Sequence, residues 1–419
     1  MYSIIRKLES SEIPSFVDIA INAYPARVIS GTEFRERQIS RMTKIQNNID
    51  NVNYYGLYRE DRLIAGMRLH EYSMNLYGRM IQVGGVGQVA VDLLHKKERA
   101  AKEMIEYFIA HCKSKGISLV LLYPFRPDFY KKMGFGYGTK MNQYYIKPDS
   151  FPKAFVKQGL VWLDHKHINQ IKECSDRHAS TTHGMIFKST YELDSILSTA
   201  GSKAIGYMEN GGLKGYIIFN FKNVKTDNFL LNDLVIQEFV YESSEALKQL
   251  GTFLHTQNDQ IHRIVWSTQD DMIEHWIEDP RNGSDRLLPS VFHESHISGV
   301  GLMYKIIDIP KFMIELGLTG AIYSAEPLTL QFMITDSFSS DERFSLHIDK
   351  GSVAVTMGEV EEAASIEMNI SDFSSLFMGV VDVDKLYQYG KIHASDLKAI
   401  SLLRSCLKNN VKPFCSTAF

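Results

Sequence analysis

The segment Val89–Ala101, VAVDLLHKKERAA, has the pattern of a short apolar strand, a basic loop and the start of a helix. Apolar residues then recur at helical spacing, which predicts an amphipathic helix over 99–113. A loop that leads into a helix N-terminus presents free backbone N–H groups and the positive end of the helix dipole, and both suit a pyrophosphate. Lys96, Lys97 and Arg99 add positive charge. Taken alone, the pattern also fits a solvated basic turn before an ordinary surface helix.

The flanking elements are typical of an α/β domain. Alternating residues in Asn53–Tyr58 and Leu63–His70 surround a charged turn and predict a β-hairpin. A further arm, Arg79–Val83, leads through three glycines into the quoted segment. Ile117–Tyr123 is a nearly continuous apolar run, which predicts a buried strand. We therefore expect residues 1–148 to form one α/β unit.

A second specific string, FYKKMGFGY at 129–137, follows the predicted buried strand. A tyrosine placed beyond a strand end can protonate a leaving group, although its ordinary pKa of about 10 makes it a reluctant acid that needs a thiolate partner. The structural alternative is that Tyr130 covers a hydrophobic layer while its hydroxyl bonds to the backbone. The string alone leaves both interpretations open.

The order of elements recurs in weakened form over residues 149–298. Two predicted strands flank the turn Glu209–Gly212, whose Asn-Gly step is a strong hairpin signal. Repetition of a whole series of elements predicts a duplicated domain. No basic or glycine-rich loop lies between Phe239 and Glu245, so the second copy is not expected to hold a pyrophosphate. Residues 299–419 place short strands before two helical stretches, which predicts a separate α+β domain.

The last six residues, FCSTAF at 414–419, end on a large apolar side chain. Most C-termini fray in solvent, whereas this composition favours insertion into an interior. Burial of the terminal carboxylate would raise its pKa by desolvation and make it a better proton acceptor. The alternative is a hydrophobic plug whose carboxylate stays in solvent, and the sequence does not decide between them.

Composition excludes several classes of protein. The 419 residues are 44% hydrophobic and 23% charged, as in soluble globular proteins, and the net charge of −3 argues against a nucleic-acid partner. Four separated cysteines form no CxxC pair, which argues against a zinc site or a disulfide framework. No stretch of about 18 apolar residues occurs, so we expect a cytoplasmic protein with no membrane partner. The pairs His165/His167 and His293/His296 lack metal-site spacing, so no metal is expected.

Strand, basic loop, helix, strand and the FYKKMGFG string together resemble the core of the GNAT acetyltransferases, and the details resemble the Eis (enhanced intracellular survival) family. The resemblance covers nearly the whole chain. It implies two tandem GNAT domains, at 1–148 and 149–298, of which the second is degenerate. A sterol-carrier-protein-like (SCP2-like) α+β domain at 299–419 follows. The FYKKMGFG string and the terminal phenylalanine are its most specific parts.

The resemblance also implies an activity, direct acetyl transfer from acetyl-CoA to a primary amine such as an aminoglycoside, a polyamine or a lysine. Tyr130 falls on the family's general acid, and the carboxylate of Phe419 falls on its general base. The residues that fall on the cofactor-binding strand, the pyrophosphate loop and the strand end are Val89, Ala90, Val91, Lys97, Glu98, Arg99, Ala100, Ala101, Lys102, Phe125 and Arg126.

Two positions depart from the family pattern. Arg99 stands where a glycine allows phosphate to approach the backbone, and Leu93 stands where proline is common, so we expect weaker or slightly displaced cofactor binding. Some Eis-like enzymes accept aminoglycosides, which implies an open acidic cleft, but Cys415–Ala418 supplies no acid beside the terminal carboxylate. Family members often form hexamers, so a homo-oligomer is expected.

Two other functions stay open at this point. One is a binding or regulatory protein that keeps the GNAT fold without catalysis. The other is a lipid carrier that acts through the last domain. A tail that reaches the first domain would leave no lipid cavity there.

Overall fold

The computed structural model describes residues 3–25, 32–284, 287–288, 292–358, 363–407 and 411–419. The first group of elements is β1 (Ser3–Lys7), α1 (Ile13–Ala23), α2 (Thr32–Asn48), β2 (Val52–Arg59), β3 (Arg62–Leu76), β4 (Arg79–Val91), α3 (Ala100–Ser114), β5 (Leu119–Leu122), α4 (Pro127–Lys131) and β6 (Gly136–Tyr137). The second is β7 (Met141–Ile146), β8 (Leu160–Leu163), α5 (Ile168–Thr181), α6 (Thr190–Leu197), β9 (Lys203–Glu209), β10 (Gly212–Lys225), β11 (Asn228–Tyr241), α7 (Ser244–His255), β12 (Ile261–Thr268), β13 (Leu287–Leu288), β14 (Phe292–His293) and β15 (His296–Gly299). The third is β16 (Met303–Ile306), α8 (Ile309–Gly317), β17 (Leu328–Thr335), β18 (Glu342–Asp349), β19 (Ser352–Met357), β20 (Ala364–Asn369), α9 (Ile370–Phe377), α10 (Val383–Gln388), β21 (Ile392–Ala394) and α11 (Leu397–Cys406).

The first sheet has the strand order β1-β2-β3-β4-β5-β16-β6, with β4 and β5 parallel at its centre. All four residues of β5 are buried, as expected for a strand covered on both faces. Helix α3 covers one face with Met104, Ile105 and Phe108, which recur at helical spacing. The predicted α/β class of this part of the chain is confirmed.

The second sheet repeats this arrangement with the order β15-β7-β12-β11-β10-β9-β8, and its parallel pair is β11 beside β12. Each sheet contains, one strand in from its edge, a strand that the sequence analysis assigned to another domain. Strand β7, which falls inside the predicted first domain at 1–148, lies in the second sheet, and β16, from the predicted third domain, lies in the first sheet between β5 and β6. Local pattern does not show such a crossing, because a strand's partner is set by tertiary pairing.

The third unit is a five-stranded sheet, β19-β18-β17-β20-β21, with helices packed against it, as the predicted α+β class requires. Helix α9 is buried along its whole length. It packs on the first sheet, where the Ser375 hydroxyl donates to the Tyr137 carbonyl at 2.8 Å and the Ile306 N–H donates to Ser374 at 3.0 Å. The third unit and one face of the first sheet therefore share a core.

Within the described part of the chain, no helix combines the length and the apolar character that a membrane crossing requires.

Candidate active site

Strand β4 carries a bulge at the centre of the first sheet. In its register with β3, Gly66 pairs with Ala90 and the next pair is Arg68 with Gly87, so β4 has one residue more than β3 across this step. Gln88 takes up the extra length with a φ of 51°. A bulge interrupts the ladder of hydrogen bonds, so backbone groups of β4 become available to a ligand.

Beside the bulge, β4 and β5 separate. Their parallel pairing ends at Val86 and Leu122, whereas β4 continues to Val91. Diverging carboxyl ends of parallel strands form a crevice, which is the usual place for a ligand in such sheets. Val89 lies half-buried beyond the last pair, and its carbonyl accepts a 2.6 Å hydrogen bond from the Tyr24 hydroxyl.

Helix α3 begins after this crevice, and none of the described side chains caps its N-terminus. Its N-cap residue Arg99 has a φ of 66° and Lys97 has a φ of 68°, left-handed conformations that favour glycine. Lys96, Lys97 and Arg99 are exposed. Free N–H groups of a first helical turn and three nearby cations suit a pyrophosphate.

Arg59, which was not selected from the sequence, binds the loop before α3. The guanidinium is buried, with 8% exposure. It contacts the Glu98 carboxylate at 2.9 Å, the Glu98 carbonyl at 3.1 Å and the Glu103 carboxylate at 2.6 Å. The Glu98 carboxylate is therefore engaged by Arg59 and is not available to a ligand. The backbone of Glu98 is held in place by the same guanidinium.

Tyr130 lies on α4, which begins with Pro127 directly beyond β5. Its ring is buried and meets the rings of Phe125, Phe129 and Phe135 nearly edge-on at 5.9, 5.2 and 6.1 Å. Burial, with a smaller effect of Tyr24, raises the pKa of Tyr130 above its ordinary value. The phenol therefore stays protonated at neutral pH.

The C-terminal tail runs between the two α/β units and is held along its length. Four side-chain or backbone groups bond to four consecutive tail residues at 2.6 to 2.9 Å. The Thr139 hydroxyl donates to the Pro413 carbonyl, and the Phe414 N–H donates to the His183 carbonyl. The Cys415 N–H donates to the side-chain oxygen of Gln269, and the Lys188 ammonium donates to the Ser416 hydroxyl. This tail does not fray, because both units supply its partners.

The tail ends on β4. A Cβ atom built on Gly87 would lie 3.0 Å from the carboxyl carbon of Phe419, so the lack of a side chain at Gly87 leaves room for this close approach. The Phe419 ring packs at 5.3 to 5.4 Å against His70, Tyr72 and Tyr123. Phe419 is half-buried in this position, whereas Ala418 before it is exposed.

The other predicted cofactor residues border the same crevice in different ways. Phe125 is 59% exposed at its mouth, and Arg126 forms an exposed ion pair with Asp128 at 2.6 Å. The Lys102 ammonium forms an ion pair with the Glu106 carboxylate at 3.6 Å. Ala90 and Ala100 are buried, whereas Val91 and Ala101 are half-buried.

Sequence reasoning missed the residues of β3 that face the tail. Arg68, His70 and Tyr72 alternate along the strand and therefore point to one face. The Tyr72 hydroxyl bonds to Nδ1 of His70 at 2.7 Å, and burial lowers the pKa of His70 well below its ordinary value, so the ring is neutral. The alternation was visible in the sequence, but not that the chain's own end covers this face.

His165 and His167 each pair with an aspartate. Nδ1 of His165 lies 2.7 Å from Asp194, and Nδ1 of His167 lies 2.8 Å from Asp164. Across the described residues, no group of three His, Cys, Asp or Glu side chains is placed to hold a metal ion.

The third unit has an interior filled with aromatic rings. Phe332, Phe344, Phe373 and Phe377 contact one another at 4.4 to 6.2 Å between the sheet and its helices. A cavity of about 450 Å³ on this unit is lined largely by polar residues, including Arg343 and Glu367. The tail leaves this unit for the first sheet, and Phe419 does not fill a cavity of the third unit.

Comparison with protein families divides the chain in the same way. Residues 4–138 and 188–293 each match a model of an acetyltransferase (GNAT) domain. Residues 314–416 match a sterol carrier protein domain. No curated protein matches the chain.

Solved structures share the complete three-domain fold. A GCN5-related N-acetyltransferase from Anabaena variabilis has a TM-score of 0.81 at 17% identity. A probable N-acyltransferase from Enterococcus faecalis has 0.78 at 19%, and Eis1 from Mycobacterium abscessus has 0.73 at 15%. In each case the match covers 100% of both chains. The two GNAT domains and the SCP2-like domain expected from the sequence are thereby confirmed.

Proposed function

Because the chain belongs to the GNAT N-acetyltransferases with the Eis-like three-domain fold, we propose that it transfers an acetyl group directly from acetyl-CoA to a primary amine. In this proposal Tyr130 is the general acid and the Phe419 carboxylate is the general base. The observation that carries it is the approach of the terminal carbon of Phe419 to 3.0 Å from the Cβ position of Gly87, two residues before Val89.

The crevice fits the co-substrate on three counts. The uncapped first turn of α3, with Lys97 and Arg99, suits the pyrophosphate. The bulged part of β4 suits the pantetheine and acetyl parts, with the Val89 N–H as a donor to the carbonyl oxygen. The exposed ring of Phe125 lies at the mouth. Bound acetyl-CoA supplies the activated thioester.

The amine nitrogen attacks only when it is neutral, so its proton must leave first. The Phe419 carboxylate accepts this proton, directly or through one water, and also attracts the ammonium form. As the nitrogen–carbon bond forms and the carbon–sulfur bond breaks, the nitrogen loses its second proton to water, which leaves the neutral amide. The Tyr130 hydroxyl donates a hydrogen bond to the sulfur as negative charge builds up there, gives its proton to the thiolate and is reprotonated from water.

The first test replaces Tyr130 with Phe. The ring contacts with Phe125, Phe129 and Phe135 remain, so the fold should persist, whereas loss of the proton donor should lower kcat by about 10²- to 10⁴-fold. Thiol release from acetyl-CoA measures the rate, and a thermal melt checks the fold. Normal turnover by folded Tyr130→Phe would remove Tyr130 from the mechanism.

The second test extends the chain by Gly-Ser after Phe419. The extension moves the carboxylate away from β4 while the tail keeps its bonds at 413–416, so turnover should fall by about 10²-fold or more. Phe419→Leu is the matched control, because it keeps the carboxylate in place and changes only the ring; it should retain most activity. An extended protein as active as the control would contradict the role of the terminal base.

A further inference from the structure

A cavity of about 300 Å³ lies beside the tail, on the side away from α3. Its walls come from α2 and β3 of the first unit, from α6 and β11 of the second, and from Ser416–Ala418. A ligand here would contact the residues just before the terminal carboxylate, which makes the cavity the natural place for the amine acceptor. Its volume is at the lower end for small-molecule sites and favours a small acceptor.

Four polar atoms in side chains that line this cavity are buried and have no hydrogen-bond partner in the described part of the chain. They are Nε of Arg68, Nε2 of His70, Oε2 of Glu238 and Oγ1 of Thr417. Buried polar groups without partners are uncommon because each carries a desolvation cost. Their concentration around one cavity points to a polar ligand.

The charges around the cavity are not those of a site for a polycation. Glu238 forms a buried ion pair with Lys188 at 2.9 Å, and Glu192 accepts hydrogen bonds from the Ser189 N–H and hydroxyl at 2.7 and 2.9 Å. Both acidic side chains are therefore engaged. By contrast, no ion pair is formed by Arg41 or Arg68 within the residues that the structure describes, and Nη2 of Arg68 lies 3.6 Å from the Cβ position of Gly87, beside the end of the tail.

We infer that the acceptor is a primary amine that also carries an anionic group, a carboxylate or a phosphate. This inference rests on the proposed acetyltransferase function. Arg68 and Arg41 bind the anionic group, since guanidinium groups form strong paired hydrogen bonds to carboxylates and phosphates. The terminal carboxylate of Phe419, one residue beyond Ala418 of the cavity wall, accepts the proton of the amine as in the proposed mechanism. The polyamines and aminoglycosides suggested by the family resemblance lack such a group.

The test is a thiol-release assay of the full chain with acetyl-CoA and matched acceptors. The panel contains α- and ω-amino acids with their carboxamides, O-phosphoethanolamine with ethanolamine, and spermidine. Rates are corrected for the fraction of neutral amine. We expect kcat/KM for the best anionic acceptor to exceed that of its neutral match by about ten-fold or more. Comparison of the amino acids with the phosphate ester shows whether the anionic group of the acceptor is a carboxylate or a phosphate.

Substitutions link this preference to the arginines. Arg68→Gln should reduce the ratio of anionic to neutral acceptor to about two-fold or less, and Arg68→Lys should retain part of it. Arg37→Gln, an exposed position on α2 one turn before Arg41, is the matched control and should leave the ratio unchanged. If Arg68→Gln lowered kcat/KM equally for all acceptors, Arg68 would act by positioning the nearby terminal carboxylate, and the inference would be overturned.

The remaining outcomes separate the two proposals. Preference for spermidine or for the carboxamides overturns the anionic acceptor and leaves the acetyltransferase proposal standing. No turnover of any amine by a protein that still binds coenzyme A in a calorimetric titration overturns both.

Discussion

The two GNAT domains contain the same arrangement around a parallel strand pair, but one crevice is open and the other is filled. Both central strands carry a bulge. In β11 it falls between the pairs Ile218–Glu238 and Phe219–Ile236, which leaves Gln237 as the extra residue, as Gln88 is in β4. The framework for a ligand site has therefore survived in both copies, and the difference lies in the side chains placed around it.

Aromatic rings occupy the second crevice. Phe239 lies 4.9 Å from Trp266 and 6.0 Å from Trp276, and a Cβ atom on Gly251 of α7 would lie 2.9 Å from the Trp276 ring. Trp276 stands eight residues beyond Thr268, the end of β12, just as Tyr130 stands eight beyond Leu122, the end of β5. The segment beyond β12 thus contributes a packed indole to its crevice, whereas the segment beyond β5 carries the proposed acid.

The helices that follow the crevices also differ at their first residues. The Ser243 hydroxyl accepts a hydrogen bond from the Ala246 N–H at 3.1 Å, so the N-terminus of α7 is capped, and Glu245 adds negative charge in its first turn. The N-cap of α3 is Arg99, which makes no such bond. An anion is favoured at α3 and disfavoured at α7. We therefore expect one coenzyme A per chain.

Among the variants that test the difference between the two crevices, Trp276→Ala should have the largest effect on stability. Removing a ring that packs against Phe239, Trp266 and Phe151 should lower the free energy of unfolding by about 3 kcal/mol. Calorimetry should still give one coenzyme A per chain, because the capped α7 offers no pyrophosphate site. Trp162→Ala, at a position 65% exposed on β8, is the matched control and should change stability little. A second bound coenzyme A would mean that the rings alone had closed the second site.

Ser243→Ala should have a smaller effect. Loss of the cap should lower the free energy of unfolding by about 1 kcal/mol, measured by urea denaturation, and should leave the KM for acetyl-CoA unchanged because this helix binds no cofactor. Ser244→Ala, at the exposed neighbouring serine, is the control and should stay within about 0.5 kcal/mol of the parent. A raised KM for acetyl-CoA in Ser243→Ala alone would indicate that the second domain takes part in cofactor binding.

The elements with a strong local pattern were predictable. The β2–β3 hairpin, α3 and the buried β5 follow from alternation, helical spacing and an apolar run. The helices α2, α5, α6, α8 and α10 were not predicted. The exchange of β7 and β16 between sheets was also missed, because pairing between distant segments leaves no local signal.

The candidate site shows the same division. Tyr130, Val89 and the loop before α3 could be selected because they sit in recognisable strings. Arg59, Arg68 and His70 could not, since each lies in an ordinary alternating strand and gains its role only from what packs on it. Arg59 acts through Glu98 and Glu103, which lie 39 and 44 residues further along the chain.

Arg99 gives the smallest and most discriminating test, because its φ of 66° and its charge act in opposite directions. Arg99→Gly should raise the free energy of unfolding by about 1 kcal/mol, since glycine adopts this conformation without strain. Arg99→Ala keeps the strain and removes the charge, so it should be less stable than Arg99→Gly by about 1 kcal/mol.

Both variants lose a cation beside the pyrophosphate, and the affinity for coenzyme A should fall by about three- to five-fold in Arg99→Ala. It should fall less in Arg99→Gly, where the phosphate can approach the backbone. Urea denaturation and calorimetry measure the two quantities. Equal stability of the two variants would show that residue 99 is not left-handed in solution, and the contrast between Arg99 and Ser243 would then rest on charge alone.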